Sequence, residues 1–521
     1  MLLRVGIFVS LLAAGAAAGA DYDLLIRNAR ILEGAGNPWY HADVGIRSGR
    51  IAALGRLAGA TAERTIDARG RILAPGFIDV HTHIEQAVEK LPGADNFVLD
   101  GVTTVVTGNC GSSEVDLAGF FARLERLGIG LNVAALIGHS SVRRRVMGTQ
   151  DRPPAPAEMA RMPELVAQGM RDGALGFSTG LIYIPGAYAT TAEVVALAKA
   201  AAQYGGVYAT HLRDEGAQIL EAITEAVTVG RQAGLPVRIS HFKIDNQRFW
   251  GASEQSIALV EKFRGEGVDV VVDQHPYDRS STSLSVVAPS WALAGGREGL
   301  RERLHDPVTA THLRFEMAQR LKHLGQADYS YATVARFPPN PSCEGKTISE
   351  INVLKGREAT LEAEIQTVLD LLLAGGAQML YHSMSEEDVE RILRYPNTAV
   401  ASDSSVREFG AGWPHPRSYG THARVLAEFV RKRQVITLED AIRRMTWLAA
   451  QAFRLGDRGL VREGMAADLV LFDPDRVADR ATYQQPHQYS EGFDWVLVNG
   501  VPVVEEGQLT GARPGQVLRS R

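Results

Sequence analysis

The stretch Gly76-Phe77-Ile78-Asp79-Val80-His81-Thr82-His83 decides the fold. It follows Pro75, runs through apolar residues with strand character and ends in two histidines one residue apart. Side chains two positions apart on a strand point to the same side. Two imidazoles on one side of a strand end can hold a divalent metal, for which neutral imidazole is the commonest side-chain ligand. Alone, the pair could equally hydrogen-bond within a loop. What decides is whether further ligands follow at matching places on further strands.

Seven more strand-like runs follow the first. They are TTVVTGNCG (103–111), LNVAALIGH (131–139), ALGFSTGL (174–181), VYATHLRDE (207–215), VRISHFK (237–243), VDVVVDQHPY (268–277) and NTAVASDSS (397–405). Between them lie segments with apolar residues at helical spacing and a glycine near the end, such as 191–205, 217–234 and 253–267. Strands alternating with helices predict a parallel sheet, and eight such units predict an α/β fold of the (β/α)8 barrel type. The interval from Pro289 to Leu361 interrupts the alternation, is polar and contains FPPNPSCEG. It reads as an insertion between strands seven and eight, placed to cover the site.

The outer parts of the chain have another texture. Residues 21–73 are short β runs broken by Asn, Gly and Asp turns, and residues 455–521 repeat that pattern. They predict a small β-sandwich domain built from both ends of the chain, with residues 74–454 forming the barrel. A length of 521 residues suits one large barrel plus a second domain. The net charge of −5 argues against nucleic acid or an anionic membrane as partner. Arg143-Arg144-Arg145 is too short for such a role and reads as a solvated or substrate-edge patch. Arg4, the apolar run from Val5 and the small residues Ala18-Gly19-Ala20 have the layout of a signal peptide over residues 1–20. This predicts an exported protein, periplasmic or secreted, with no stable membrane association after cleavage.

In a (β/α)8 barrel the active site lies at the C-terminal ends of the strands. There the sequence places His81 and His83 on strand one, Cys110 on strand two and His139 on strand three. His211 ends strand five, His241 strand six, His275 and Tyr277 strand seven, and Asp403 strand eight. Five of the fourteen histidines thus fall at the ends of strands one, three, five and six alone, which scattered placement would rarely produce. Imidazoles with a thiolate suit zinc. Cys110, in Gly108-Asn109-Cys110-Gly111, reads as the thiolate, and Cys343, in the Pro-rich insertion, as a small buried residue. Two cysteines in a chain this long make no disulfide framework. Asp403 is either a helix cap or, beside a metal-activated water, a proton carrier.

These motifs, in this order, resemble the D-aminoacylase (N-acyl-D-amino-acid deacylase) branch of the metal-dependent amidohydrolase superfamily. GFIDVHTH, GVTTVVTGNCG, GFSTGLIYIPG, THLRDE, SHFK, SDSS, HPRSYGTHARVL and EGMAADLVLFDP carry the resemblance over nearly the whole chain after the leader. It implies a tight zinc on Cys110, His211 and His241, with a second, weaker position at His81 and His83. It implies Asp403 as general acid/base, with His139 assisting the oxyanion. It also implies that Tyr183, Lys243 and Arg417, joined by Tyr277, meet the carboxylate of a small-molecule substrate, an N-acyl-D-amino acid or a dipeptide ending in a D-residue. The chain departs from the family at Ile84-Glu85-Gln86 and at SSVRRRVMG after His139, near the substrate side of the site. Cyclic-amide hydrolases of the hydantoinase type are the alternative. They commonly carry a bridging lysine on strand four, and ALGFSTGL has none. A non-catalytic scaffold would have lost ligands, and here every expected ligand is present.

Overall fold

The computed structural model describes residues 20–520, so nearly all of the expected leader lies outside the described residues. Five strands come first: β1 Tyr22–Ile31, β2 Tyr40–Arg47, β3 Arg50–Gly55, β4 Ala62–Asp67 and β5 Ile72–Pro75. The barrel begins with β6 Phe77–Asp79, β7 Val102–Thr107 and β8 Asn132–Ala135, which continues as β9 Ile137–Gly138. It goes on through β10 Gly176–Gly180, β11 Val207–His211, β12 Val237–Ile239 and β13 Val270–Gln274. An inserted unit carries β14 Arg279–Ser283, β15 Ala332–Arg336 and β16 Gln378–His382. β17 Thr398–Val400 returns to the barrel, and β18 Leu469–Phe472, β19 Phe493–Val498, β20 Val501–Glu505 and β21 Gln508–Leu509 end the chain.

Parallel pairing links β9, β10, β11, β12, β13 and β17 in that order, and β6, β7 and β8 in another sheet. β8 and β9 are two halves of one strand, separated by Leu136, so the two sheets form one wall. Its seam, between β17 and β6, is joined just beyond the strands. Asp403 N–H donates to His81 O at 2.9 Å and His83 N–H to Ser404 O at 2.7 Å, around a Thr82–Ser404 bridge. The closing contacts of the eight-stranded barrel are therefore made by site residues.

Alternation along the strands sorts the packing. Phe77, Val105, Phe177, Tyr208 and Val272 pack in the large outer cluster with the helices. Ile78, Val80, Val106, Ala209, Val271 and Ala399 fill the interior, where Leu448 and Ala449 of the helix Trp447–Ala452 join them. The interior is thus closed with apolar side chains at the end opposite the site.

The two chain ends share one nine-stranded sheet in the order β21-β20-β19-β18-β5-β1-β2-β3, with β4 paired to β1. β1 divides its edge: Tyr22–Arg27 pairs with β4, and Arg30 and Ile31 with β5. Leu24, Ile26, Val44, Leu73, Leu469 and Leu497 pack on one another, while Ile72, Phe472 and Val496 join the barrel's outer cluster. Two boundaries differ from expectation. The last residues leave this sheet for the barrel, where Val133 N–H donates to Gln516 O at 2.9 Å and Leu518 N–H to Val133 O at 2.8 Å. They supply the lateral partner that β8 lacks below the point where β9 pairs with β10. The insertion is also wider than 289–361, because β14 and β16, which flank that interval, pair with each other and enclose β15. It has its own core, including Leu313, Met317, Val368 and Met379, so its polar sequence covers an ordered unit.

Candidate metal centre and active site

The site is assembled by turns at the strand ends. Cys110, His241 and Asp403 all sit in the left-handed region, with φ of 52°, 33° and 50°. A non-glycine residue there costs of order 1 kcal/mol or more, and such strain gathers at functional sites. The turn at Cys110 is held from several sides. Gly108 has φ 80°, and a side chain on it would collide with the Leu136 carbonyl oxygen. Its N–H donates to Glu85 Oε1 at 2.6 Å, and Gly111 N–H donates to Ser178 Oγ at 3.1 Å.

Cys110 Sγ is the centre of the cluster. It lies 3.3 Å from His81 Nε2, 3.4 Å from His241 Nε2 and 3.8 Å from His211 Nδ1. Those last two nitrogens are 2.7 Å apart. The outer nitrogen of each ring faces a buried carboxylate. Glu215 Oε1 is 3.0 Å from His241 Nδ1, Glu215 Oε2 is 3.4 Å from His211 Nε2, and Asp273 Oδ1 is 3.4 Å from His81 Nδ1. A carboxylate on the far side favours the tautomer with its proton outward and the lone pair inward. His81 and His211 then aim a lone pair toward the sulfur, while at His241 Nδ1 the Lys243 ammonium also stands 2.6 Å away, and a cation among these donors would satisfy them together. Although burial opposes the charged form, His81 and His241 hold the Cys110 thiol well below its usual range, as a ligand requires. Nitrogen and thiolate donors in a closed pocket fit zinc. Cys110, His211 and His241 form one possible ligand set, and His81, His83 and Cys110 a second that shares the sulfur.

Asp403 stands beside this cluster. Its Oδ1 is 3.3 Å from His83 Nε2 and 3.7 Å from His81 Nε2, and its Oδ2 is 3.0 Å from the Arg417 guanidinium. Burial would raise its carboxyl, but Arg417 and the hydrogen bond from His83 hold it well below the usual carboxylate range. These neighbours favour its charged, carboxylate form. Tyr183 hydroxyl is 3.3 Å from His211 Nδ1 and accepts from Thr282 Oγ1 at 3.1 Å. Lys243 Nζ pairs with Glu215 Oε2 at 2.8 Å and donates to His241 O at 2.8 Å. Tyr183, Lys243, His211, His241 and Asp403 all line a cavity of about 480 Å³ that opens toward the inserted unit.

Other expected residues lie elsewhere. His139 is directed away from the metal cluster and into a buried ionic group: its Nε2 is 3.1 Å from Glu193 Oε1, which also accepts from Arg143 Nε at 3.0 Å. The oxyanion role expected of His139 therefore has no geometric support. Of the arginine run, Arg143 is fully buried, whereas Arg144 and Arg145 are exposed as expected, and Arg144 donates to Ile184 O at 3.1 Å, beside Tyr183. Tyr277 is buried outside the cavity wall, with the Arg424 guanidinium 4.8 Å above its ring. Arg417 stands behind Asp403, and its buried Nη1 makes no hydrogen bond. Sequence reasoning did not assign Glu215 and Asp273. Their only signal was an acid near the strand end, one of two in each of THLRDE and VDVVVDQHPY.

Comparison with known proteins places this geometry. The model of a family described as the amidohydrolase family matches residues 64–504. The chain is 35% identical over 519 residues to an N-acyl-D-glutamate deacylase of Alcaligenes xylosoxydans xylosoxydans, covering 95% of this chain and 96% of that one. A solved N-acyl-D-glutamate deacylase of Bordetella bronchiseptica superposes with a TM-score of 0.81 at 34% identity, over 96% of this chain and 99% of that one. It was crystallised with zinc and a phosphonate that mimics the tetrahedral intermediate of its reaction. A D-aminoacylase with a binuclear metal centre, activated by one metal and attenuated by the second, also superposes at 0.81, with 32% identity over 96% of this chain and 100% of its own. The chain thus belongs to the amidohydrolase family, on the branch of the D-aminoacylases and N-acyl-D-amino-acid deacylases.

Proposed function

We infer that the protein hydrolyses the amide bond of N-acyl-D-amino acids in a zinc-dependent reaction, releasing a carboxylate and the free D-amino acid. The observation that carries this reading is the convergence of three carboxylate-backed imidazoles on Cys110, with Asp403 beside them at the end of a cavity. Cys110, His211 and His241 would hold the tight zinc, and His81 and His83 the weaker position. Zinc bound there supplies a water of lowered pKa and polarises the amide carbonyl.

The chain's own residues do the rest. Asp403 accepts the proton of the attacking water and returns it to the leaving nitrogen. Arg417, joined to Asp403 through one nitrogen, would meet the substrate carboxylate from beside Asp403. Tyr183 keeps its proton, since burial and then Cys110 beside it push the hydroxyl well above its usual range, and it serves as a donor at the cavity wall. Lys243, fixed by Glu215, adds positive charge near the same place. A carboxylate held there would present the amide to the metal from one hand of the α-carbon only. Tyr277 supports the Arg424 side rather than the substrate. A dipeptide ending in a D-residue presents the same carboxylate and remains the second substrate type. Strand four ends in Thr179 and Gly180 with no lysine, which speaks against cyclic amides.

The test is a panel of N-acyl-D-amino acids, N-acyl-L-amino acids, L-D dipeptides and hydantoins with zinc-loaded enzyme. Preference for L-substrates or for hydantoins would refute the assignment. We also propose export, resting on the sequence of residues 1–20. N-terminal sequencing of the mature protein should begin at Asp21, and a start at Met1 would refute cleavage. Among the described residues no helix is long and apolar enough to cross a membrane.

A further inference from the structure

Ile84, Glu85 and Gln86, where the chain departs from its family, are expected near the substrate, yet none of them lines the cavity. Their side chains go three ways. Ile84 is fully buried in the barrel's outer cluster, and Gln86 is exposed. Glu85 is half-buried and turns its carboxylate to the neighbouring strand end, where Oε1 accepts from Gly108 N–H at 2.6 Å. Glu85 belongs to none of the possible ligand sets, so its contact with the metal centre is indirect.

That bond joins two segments that both carry ligands. Thr82 N–H and Oγ1 donate to Val106 O at 3.0 Å, and Ile84 N–H donates to Thr107 Oγ1 at 3.1 Å. Asn109 Nδ2 reaches back to Val80 O at 3.3 Å. After Thr107 the chain leaves the strand through two left-handed residues, Gly108 at φ 80° and Cys110 at φ 52°. Such backbone persists only where its surroundings impose it. The Gly108 residue is held on both sides: Glu85 takes its N–H, and Ser178 Oγ donates to its carbonyl. A carboxylate binds an N–H more strongly than a neutral oxygen does. Two residues on, Cys110 Sγ is common to the set with His211 and His241 and to the set with His81 and His83. A turn of the Gly108 backbone would carry that sulfur away from both.

We propose that Glu85 is a positioning residue of the metal centre: by holding Gly108 N–H it fixes the turn that presents Cys110, and so sets zinc affinity at both positions that share the sulfur. The proposal rests on the zinc reading above and does not depend on which amide is the substrate.

The experiment reads the zinc affinity of wild type, Glu85→Ala and Glu85→Gln by competition with a chelator. Cobalt in place of zinc adds a spectroscopic readout, since the sulfur-to-cobalt charge-transfer band reports the bond from Cys110 to the metal. Glu85→Ala should lose about 10–100-fold in zinc affinity, as when the partner behind a metal ligand is removed, and its cobalt band should weaken. Glu85→Gln keeps an acceptor oxygen at the same reach and should recover most of both losses. On N-acetyl-D-amino acids, Glu85→Ala should lose kcat and keep KM, because Tyr183, Lys243 and Arg417 stand on other segments. A lower melting temperature with wild-type zinc affinity and an unchanged cobalt band would make Glu85 a structural residue and overturn the proposal. Equal losses in the Ala and Gln variants would also overturn it, by assigning the effect to charge rather than to the hydrogen bond. A wild type that binds zinc but hydrolyses no N-acyl-D-amino acid would defeat the deacylase reading alone, and the zinc comparison would still decide the role of Glu85. A wild type that binds no zinc would defeat both.

Discussion

Single residues at the site divide between proton transfer and ligand orientation, and substitution separates the two. Asp403→Asn keeps shape and tolerates a positive φ but cannot take a proton. Turnover should fall about 10²–10⁴-fold with zinc content unchanged, measured by single-substrate kinetics and metal analysis. Undiminished turnover would remove Asp403 from proton transfer. Glu215 faces two ligand rings at once, so Glu215→Gln should lower zinc affinity about 10–100-fold, read by competition with a chelator. The residues that converge on Cys110 were legible in the sequence because each ends a strand in barrel order. Glu215 and Asp273 were not, because an acid beside a strand end looks like a helix cap until its partner, distant in the chain, is in view. His139 shows the converse. Its position on strand three matched that of a site residue, but the ring turns toward Glu193, 54 residues away in the chain.

At the scale of elements, buried charge joins one secondary-structure unit to the next. Glu193 ties the helix His139–Met147 to the helix Thr191–Ala202 through His139 and Arg143. Glu193→Gln leaves the fully buried Arg143 with an uncompensated charge and should cost about 3 kcal/mol in urea unfolding. The folded fraction should keep its kcat, which distinguishes a structural His139 from a catalytic one. Asp278 joins the start of the inserted unit to the C-terminal segment. Burial alone would raise its carboxyl, but hydrogen bonds from His382 and Tyr483 bring it to about 2. A carboxyl that titrates lower in the folded than in the unfolded chain, where it is about 4, stabilises above pH 4 and loses that effect as the pH falls toward 2. Tyr483→Phe should therefore shrink the drop in urea midpoint between pH 5 and pH 3. The eight barrel strands were readable from period and turn signals. The inserted unit was not, because β15 pairs with β16, which lies beyond the expected insertion, and a short strand without its partner carries no pattern of its own.

For the whole molecule, metal binding and chain topology act together. Side chains at or just beyond the ends of four barrel strands, β6, β7, β11 and β12, meet at Cys110, so a zinc held there would tie segments spread from residue 81 to residue 241. Chelation should lower the melting temperature and zinc should restore it, since an ion at a thousand times its Kd adds about 4 kcal/mol to the folded state. An unchanged melting temperature would mean that the cluster folds around no ion. The nine-stranded sheet sets a different constraint. β5 is flanked by β1 and by β18, and β8 waits for residues 516–518. A ribosome delivers β18 and those last residues late in synthesis, so the sheet and the third barrel strand lack partners while the chain is still growing. The nine-stranded sheet is fully paired only once β18 to β21 have been made, and the third barrel strand only once residues 516–518 have followed.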